Sequence, residues 1–117
     1  MARTDVSVTD LIGAYGDYSV ANVADLTWQV ADIVNDNQVL LKEGDILLFW
    51  NQGVGAQTVT INSVDLYGRT GDITAYSVGI DEIAHFGPVK APGWRQTDSY
   101  LYFEASTVDI YWCVLRA

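Results

Sequence analysis

Short runs of two-residue periodicity, each closed by turn-forming residues, follow one another along most of this chain. In residues 5–11, Val6 and Val8 alternate with Ser7 and Thr9. In residues 57–64, Val59 and Ile61 alternate with Thr58, Thr60 and Asn62. Residues 45–51, 72–80, 82–89, 99–105 and 108–116 are further strand-length segments rich in β-branched and aromatic side chains. Such residues fit a pleated surface, and their spacing sends alternate side chains to opposite faces. Gly, Pro, Asn and Asp fill the gaps. The 51–55 segment, Asn51-Gln52-Gly53-Val54-Gly55, reads as a hairpin loop, and 67–72, Gly87-Pro88 and Ala91-Pro92-Gly93 read as further turns. The pattern predicts an all-β fold: a small antiparallel β-sandwich or β-barrel, jelly-roll-like, with an extended N-terminal arm. Residues 1–12 form that arm and the first strand, and 13–117 a single sandwich domain.

Two strands break simple alternation. Ile46-Leu47-Leu48-Phe49-Trp50 is apolar on both faces. In the last strand Ile110, Trp112 and Val114 face one way, and Tyr111, Cys113 and Leu115 the other. A sandwich strand normally buries one face, so the second must be covered by another segment, such as the one around Trp28, or by an oligomer partner. Residues 14–38 are the least patterned. Val23, Leu26, Val30 and Val34 permit a short amphipathic helix at 21–34, but the β-formers at 27–34 compete with it. The reading adopted is loop, with one strand around residues 26–30.

Half of the 117 residues are hydrophobic, enough to build a core without disulfides or metal. Fifteen acidic residues against six basic ones give a net charge of −9. Such a surface repels nucleic-acid phosphates and anionic membranes, so neither is an expected partner. Cys113 is the single cysteine, so no internal disulfide forms, and its apolar neighbours mark a small buried hydrophobe. The N-terminus lacks the apolar stretch of a secretory signal, and no run is long enough to span a bilayer. Folding in a cytoplasm is expected.

Catalytic signatures are sparse. His85 is the single histidine, and it lies in a strand pattern without a nucleophile motif. The glutamates, Glu43, Glu82 and Glu104, and the dispersed aspartates, Asp45 and Asp72 among them, read as turn or solvent-face residues and not as an acid pair. Asp32, Asn35, Asp36 and Asn37 offer oxygen atoms for a cation, but they lack the glycine and distant glutamate of an EF-hand loop, so they read as turn and cap residues. No phosphate-binding glycine motif is present. The expectation is a protein that is not an enzyme and holds no cofactor or metal. Trp94, with Tyr67, Tyr15 or Tyr18 behind it, is the best candidate for stacking on a sugar ring, the alternative role being an interface anchor.

The order of several motifs resembles a family of small virion proteins of tailed bacteriophages. These motifs are Met1-Ala2-Arg3-Thr4, Ile46-Leu47-Leu48-Phe49-Trp50-Asn51, Gln57-Thr58-Val59-Thr60-Ile61, Gly71-Asp72-Ile73-Thr74, Phe86-Gly87-Pro88, Gln96-Thr97-Asp98-Ser99-Tyr100-Leu101-Tyr102-Phe103 and Val114-Leu115-Arg116-Ala117. Together they cover the N-terminal tetrapeptide and about the last two thirds of the chain; residues 14–40 and 89–95 depart from the pattern. The resemblance implies a capsid decoration or cement protein, assembled in the host cytoplasm and placed on the capsid exterior. Its partners would be the major capsid protein and itself, as a homotrimer. The expected contacts are Ala2, Arg3, Thr4 and Asp5 of the arm and the loop residues Trp94 and Arg95, with Phe49 and Trp50 in core and subunit packing. A head–tail joining, tail or fibre role and a carbohydrate-binding module are the alternatives.

Overall fold

The computed structural model describes residues 3–11, 19, 25–64 and 71–116. Among these, ten strands form two sheets and no helix is present. The strands are β1 (Thr4–Asp5), β2 (Val8–Asp10), β3 (Gln29–Val30), β4 (Asn37–Leu40), β5 (Ile46–Asn51), β6 (Gln57–Asn62), β7 (Ile73–Val78), β8 (Ile83–Phe86), β9 (Tyr100–Ala105) and β10 (Ile110–Arg116). The first sheet runs β1-β4-β9-β6-β7 and the second β2-β10-β5-β8, with β3 also pairing with β10. The fold is an open β-sandwich and not a closed barrel.

Alternation explains the core. Val39, Val59, Ile61, Leu101 and Phe103 point inward from the first sheet and meet Leu47, Phe49, Ile110, Trp112 and Val114 from the second. Trp112 sits at the centre, edge-on to Phe103 at 4.7 Å and to Phe49 at 6.1 Å between ring centroids. Asn37 and Asn51 are also fully buried, and both are satisfied. The Asn37 carboxamide oxygen accepts from Trp112 Nε1 at 2.9 Å and from the Asp32 amide at 2.8 Å, and its NH2 donates to Thr4 C=O. A buried amide must find such partners, so Asn37 locks the two sheets into one relative position.

The second face of β5 is covered by the chain itself. Trp28 lies edge-on to Trp50, 5.4 Å between centroids, and both rings are half-buried. Cys113 is fully buried on the same outer face, bonded to Thr9 and to the backbone of Thr27. Burial pushes its thiol pKa up, as expected for an inert packing cysteine.

Four sequence expectations need correction. The 51–55 segment is no hairpin: β5 and β6 belong to different sheets, so it is a corner between layers. Asn51 shapes that corner by donating to Gly55 C=O and Val78 C=O and accepting from the Gly53 amide. The 14–38 reading missed the start of β4, because its inward residues are one amide and one valine; β3 lies within the anticipated 26–30 strand, and 12–18 and 20–24 lie outside the described residues. The sheets are mixed and not purely antiparallel, since β1 pairs parallel with β4 and β2 parallel with β10. The N-terminal arm is therefore not a free extension. It enters the first sheet as β1, buries Val6 in the core and enters the second sheet as β2.

Candidate functional site

At one edge of the sandwich, β7 ends the first sheet and β8 ends the second. Between them lies an apolar groove of about 310 Å³, lined by Phe49, Ile61, Ile73, Tyr76, Ile83 and Phe86 together with Ala84 and His85. Tyr76 and Ile83 are largely exposed on its rim, while Phe49 and Ile61 are core residues on its floor. The β6–β7 ladder shifts register between Val59 and Ile61, where Ala75 takes a positive φ of 52° and its amide donates to the Thr60 hydroxyl.

At the opposite edge of the first sheet, β1, β3 and the turn after β3 frame a second apolar depression of about 360 Å³. Val30, Ile33, Val34 and Val108 face it, all substantially exposed, Val34 at 77%. The turn beneath is built by Asp32. Its carboxylate accepts from the Thr4 hydroxyl and from the amides of Asn35 and Val34, which together hold its pKa down to about 2. Asp32 and Asn37 thus do the turn work anticipated from sequence.

The anticipated contact residues are dispersed. Arg3 is docked: its guanidinium stacks over Tyr102 at 4.3 Å and donates to Asn37 C=O and Phe103 C=O. Thr4 and Asp5 pair with β4, and Asp5 accepts from the Gln38 side chain at 2.7 Å. Ala2 lies outside the described residues, as do Tyr15, Tyr18 and Tyr67. Phe49 is 2% exposed, so it is a packing residue and not a surface contact. Trp50 packs against Trp28, with its Nε1 finding no acceptor among the described residues. Trp94 is half-buried against the core, edge-on to Phe86 at 4.6 Å, which leaves it a poor platform for a sugar ring. Arg95 is exposed and donates to Leu41 C=O at 2.7 Å. His85 is exposed on β8 beside the groove.

Sequence reasoning missed Asp45, read as a turn or solvent-face residue. It is 2% exposed and accepts a bidentate pair of hydrogen bonds from Arg116, at 3.0 and 2.8 Å. A buried aspartate requires such a cation, but the partner lies 71 residues away and no local pattern announces it. The exposed apolar residues of the two depressions were also missed as groups, since each comes from several elements.

Removing residues 2–5 is expected to lower stability by about 2 kcal/mol, because the β1 ladder is lost and Asn37 NH2 is left buried without an acceptor. Urea unfolding of the truncated and full chains measures it; identical midpoints would show that β1 adds nothing.

No protein-family model, no curated protein and no solved structure matches the chain.

Proposed function

We infer that this protein is a structural component of a tailed-phage virion, a decoration or cement protein that binds the capsid exterior and bridges neighbouring subunits. The observation that carries the reading is the pair of exposed apolar surfaces at opposite edges of the sandwich. A bridging protein needs at least two adhesive surfaces that can meet different neighbours, and exposed apolar area of this kind favours protein contacts. The order of motifs from Ile46 to the C-terminus supports the same reading, as does an acidic chain suited to a surface away from packaged DNA. Weak contacts repeated by symmetry, with the protein acting as a homotrimer beside the major capsid protein, would then sum to firm attachment.

Counting copies per purified particle tests the assignment. Hundreds of copies, released when Val34→Asp or Ile83→Asp is introduced, are expected. A handful of copies would point to a joining or tail role, and absence from particles would overturn the virion reading. Both substitutions fall on exposed side chains, so the isolated fold should survive them.

A further inference from the structure

Among the described residues the two sheets differ in width. The first is five strands across and the second four, because β2 and β3 share one edge of β10 while β5 takes the other. At one side the chain closes the sandwich itself: residues 4–10 run from β1 through the buried Val6 to β2. At the other side no described segment lies between β7 and β8, and the apolar groove opens there onto the core residues Phe49 and Ile61.

The free edge of β8 is suited to one more strand. β8 pairs with β5 alone. The Asn51 amide donates to Glu82 C=O and the Asp81 amide to Asn51 C=O, which sets the phase of the ladder. Bonded pairs alternate in an antiparallel ladder, so Ala84 and Phe86 turn their N–H and C=O towards β5, while those of Ile83 and His85 point away from it. No described group takes them up. β8 keeps register over four consecutive pairs and carries no proline, lysine or bulge, the usual guards of an edge. β7 is a poorer template, broken by its register shift and the positive φ of Ala75. The charges around the groove have one sign. Residues 71–87 hold Asp72, Asp81 and Glu82 and no lysine or arginine. All three are exposed, and the one ion pair among the described residues, Arg116–Asp45, lies elsewhere. Asp72 precedes the six-residue β7 and Asp81 and Glu82 follow it, so the acidic groups flank the groove at its two ends, about 20 Å apart.

We propose that the β8 edge takes up one extended segment of a partner protein, which joins the second sheet as a fifth strand, sets two apolar side chains at i and i+2 into the groove, and brings a lysine or arginine to the acidic residues at each end. This names the partner chemistry of one adhesive surface put forward above and rests on that reading. The groove's 310 Å³ holds about two such side chains, since a space of about 150 Å³ accepts a benzene-sized group. Alternate strand residues stand about 7 Å apart on one face, so i and i+2 enter together. Backbone bonds to Ile83 and His85 supply affinity, and the groove and its carboxylates supply specificity. A second copy of this chain is a poor occupant, because its own net charge of −9 opposes approach to the same carboxylates.

The end-capped peptide Lys-Thr-Ile-Thr-Ile-Thr-Lys, titrated into the isolated protein, tests this apart from any particle. Amide-exchange protection of Ile83 and His85 should rise roughly tenfold when free peptide is about ten times its Kd, with Gly44, already bonded to Val89 C=O, unchanged. Asp81→Asn combined with Glu82→Gln should weaken binding by about threefold for each carboxylate lost, and added salt should weaken wild-type binding likewise. Both changes fall on exposed side chains, and asparagine tolerates the positive φ of 58° at position 81. A peptide with glutamate in place of both lysines should bind more weakly still. N-methylating either the threonine or the isoleucine amides tests the ladder, since one of these two sets faces β8 and its methylation should abolish the protection. No binding at millimolar peptide would overturn the proposal, as would equal binding of the glutamate peptide or protection that survives both methylations. Protection of Ile83 and His85 that rises with protein concentration alone would give the edge to a second copy and overturn it too. None of these results alters the copy number per particle, so this proposal and the virion reading fail separately.

Discussion

Trp112→Ala is expected to lower the unfolding free energy by about 3–5 kcal/mol, the usual cost of deleting a large aromatic from a packed core. Trp112 has no exposed surface, contacts Phe49 and Phe103 from the two sheets, and supplies the only indole donor that reaches Asn37. Alanine therefore opens a cavity between the layers and removes one of the two hydrogen bonds to the Asn37 oxygen. For a domain of this size roughly 3–5 °C of melting temperature accompanies each kcal/mol, so the shift should exceed about 10 °C. Trp112→Phe separates the two losses. It retains most of the ring packing and forfeits the hydrogen bond, so its cost should be nearer about 1 kcal/mol plus a small cavity term. Thermal melts of both variants decide the matter. Equal destabilisation would mean that the hydrogen bond, and not the ring volume, dominates this site.

Arg116→Ala should cost about 3 kcal/mol, the lower end of the range for stripping the partner from a buried ion pair. The lower end applies because the Arg116 side chain is itself 24% exposed. Asp45 would keep one donor, the Lys42 amide at 3.0 Å, against three hydrogen bonds in the intact protein. The loss spreads beyond the pair. Arg116 also donates to Leu40 C=O, and the Asp45 carbonyl accepts from the Val89 amide, so this one aspartate joins the last strand, the β4–β5 turn and the segment after β8. That turn places Gly44 at a positive φ of 90°, and Gly87 approaches so closely that a Cβ there would stand 2.8 Å from the Asp45 carbonyl oxygen. Arg116→Lys should recover only part of the loss, since an ammonium cannot satisfy both carboxylate oxygens in the forked geometry. Urea midpoints for the two variants measure it. A midpoint for Arg116→Ala within error of wild type would show that water replaces the guanidinium at no cost.

These two sites differ in how far the sequence announces them. The strand period puts Trp112 on one face with Ile110 and Val114, and only which of the two apolar faces turns inward is left to the packing. Asp45 follows a glycine at a strand start and looks like any turn aspartate; only its remote partner makes it a buried ion-pair residue. The buried amide of Asn37 is of the second kind. It depends on the register between β4 and β9, and β4 itself was hidden because its alternation pairs valine with a buried asparagine.

Alternation and turn chemistry alone were enough to determine an all-β fold, the shared face of Val59 and Ile61, and the burial of Cys113, because strand periodicity is a local property of the chain. The tertiary structure alone decided that the N-terminal segment joins both sheets in parallel and that the 51–55 loop turns a corner between them. It also decided that Asp45 finds Arg116, and that exposed apolar side chains gather at two opposite edges. Each of these rests on contacts between residues far apart in sequence, where the free energy is set by burial and register and not by the neighbours along the chain.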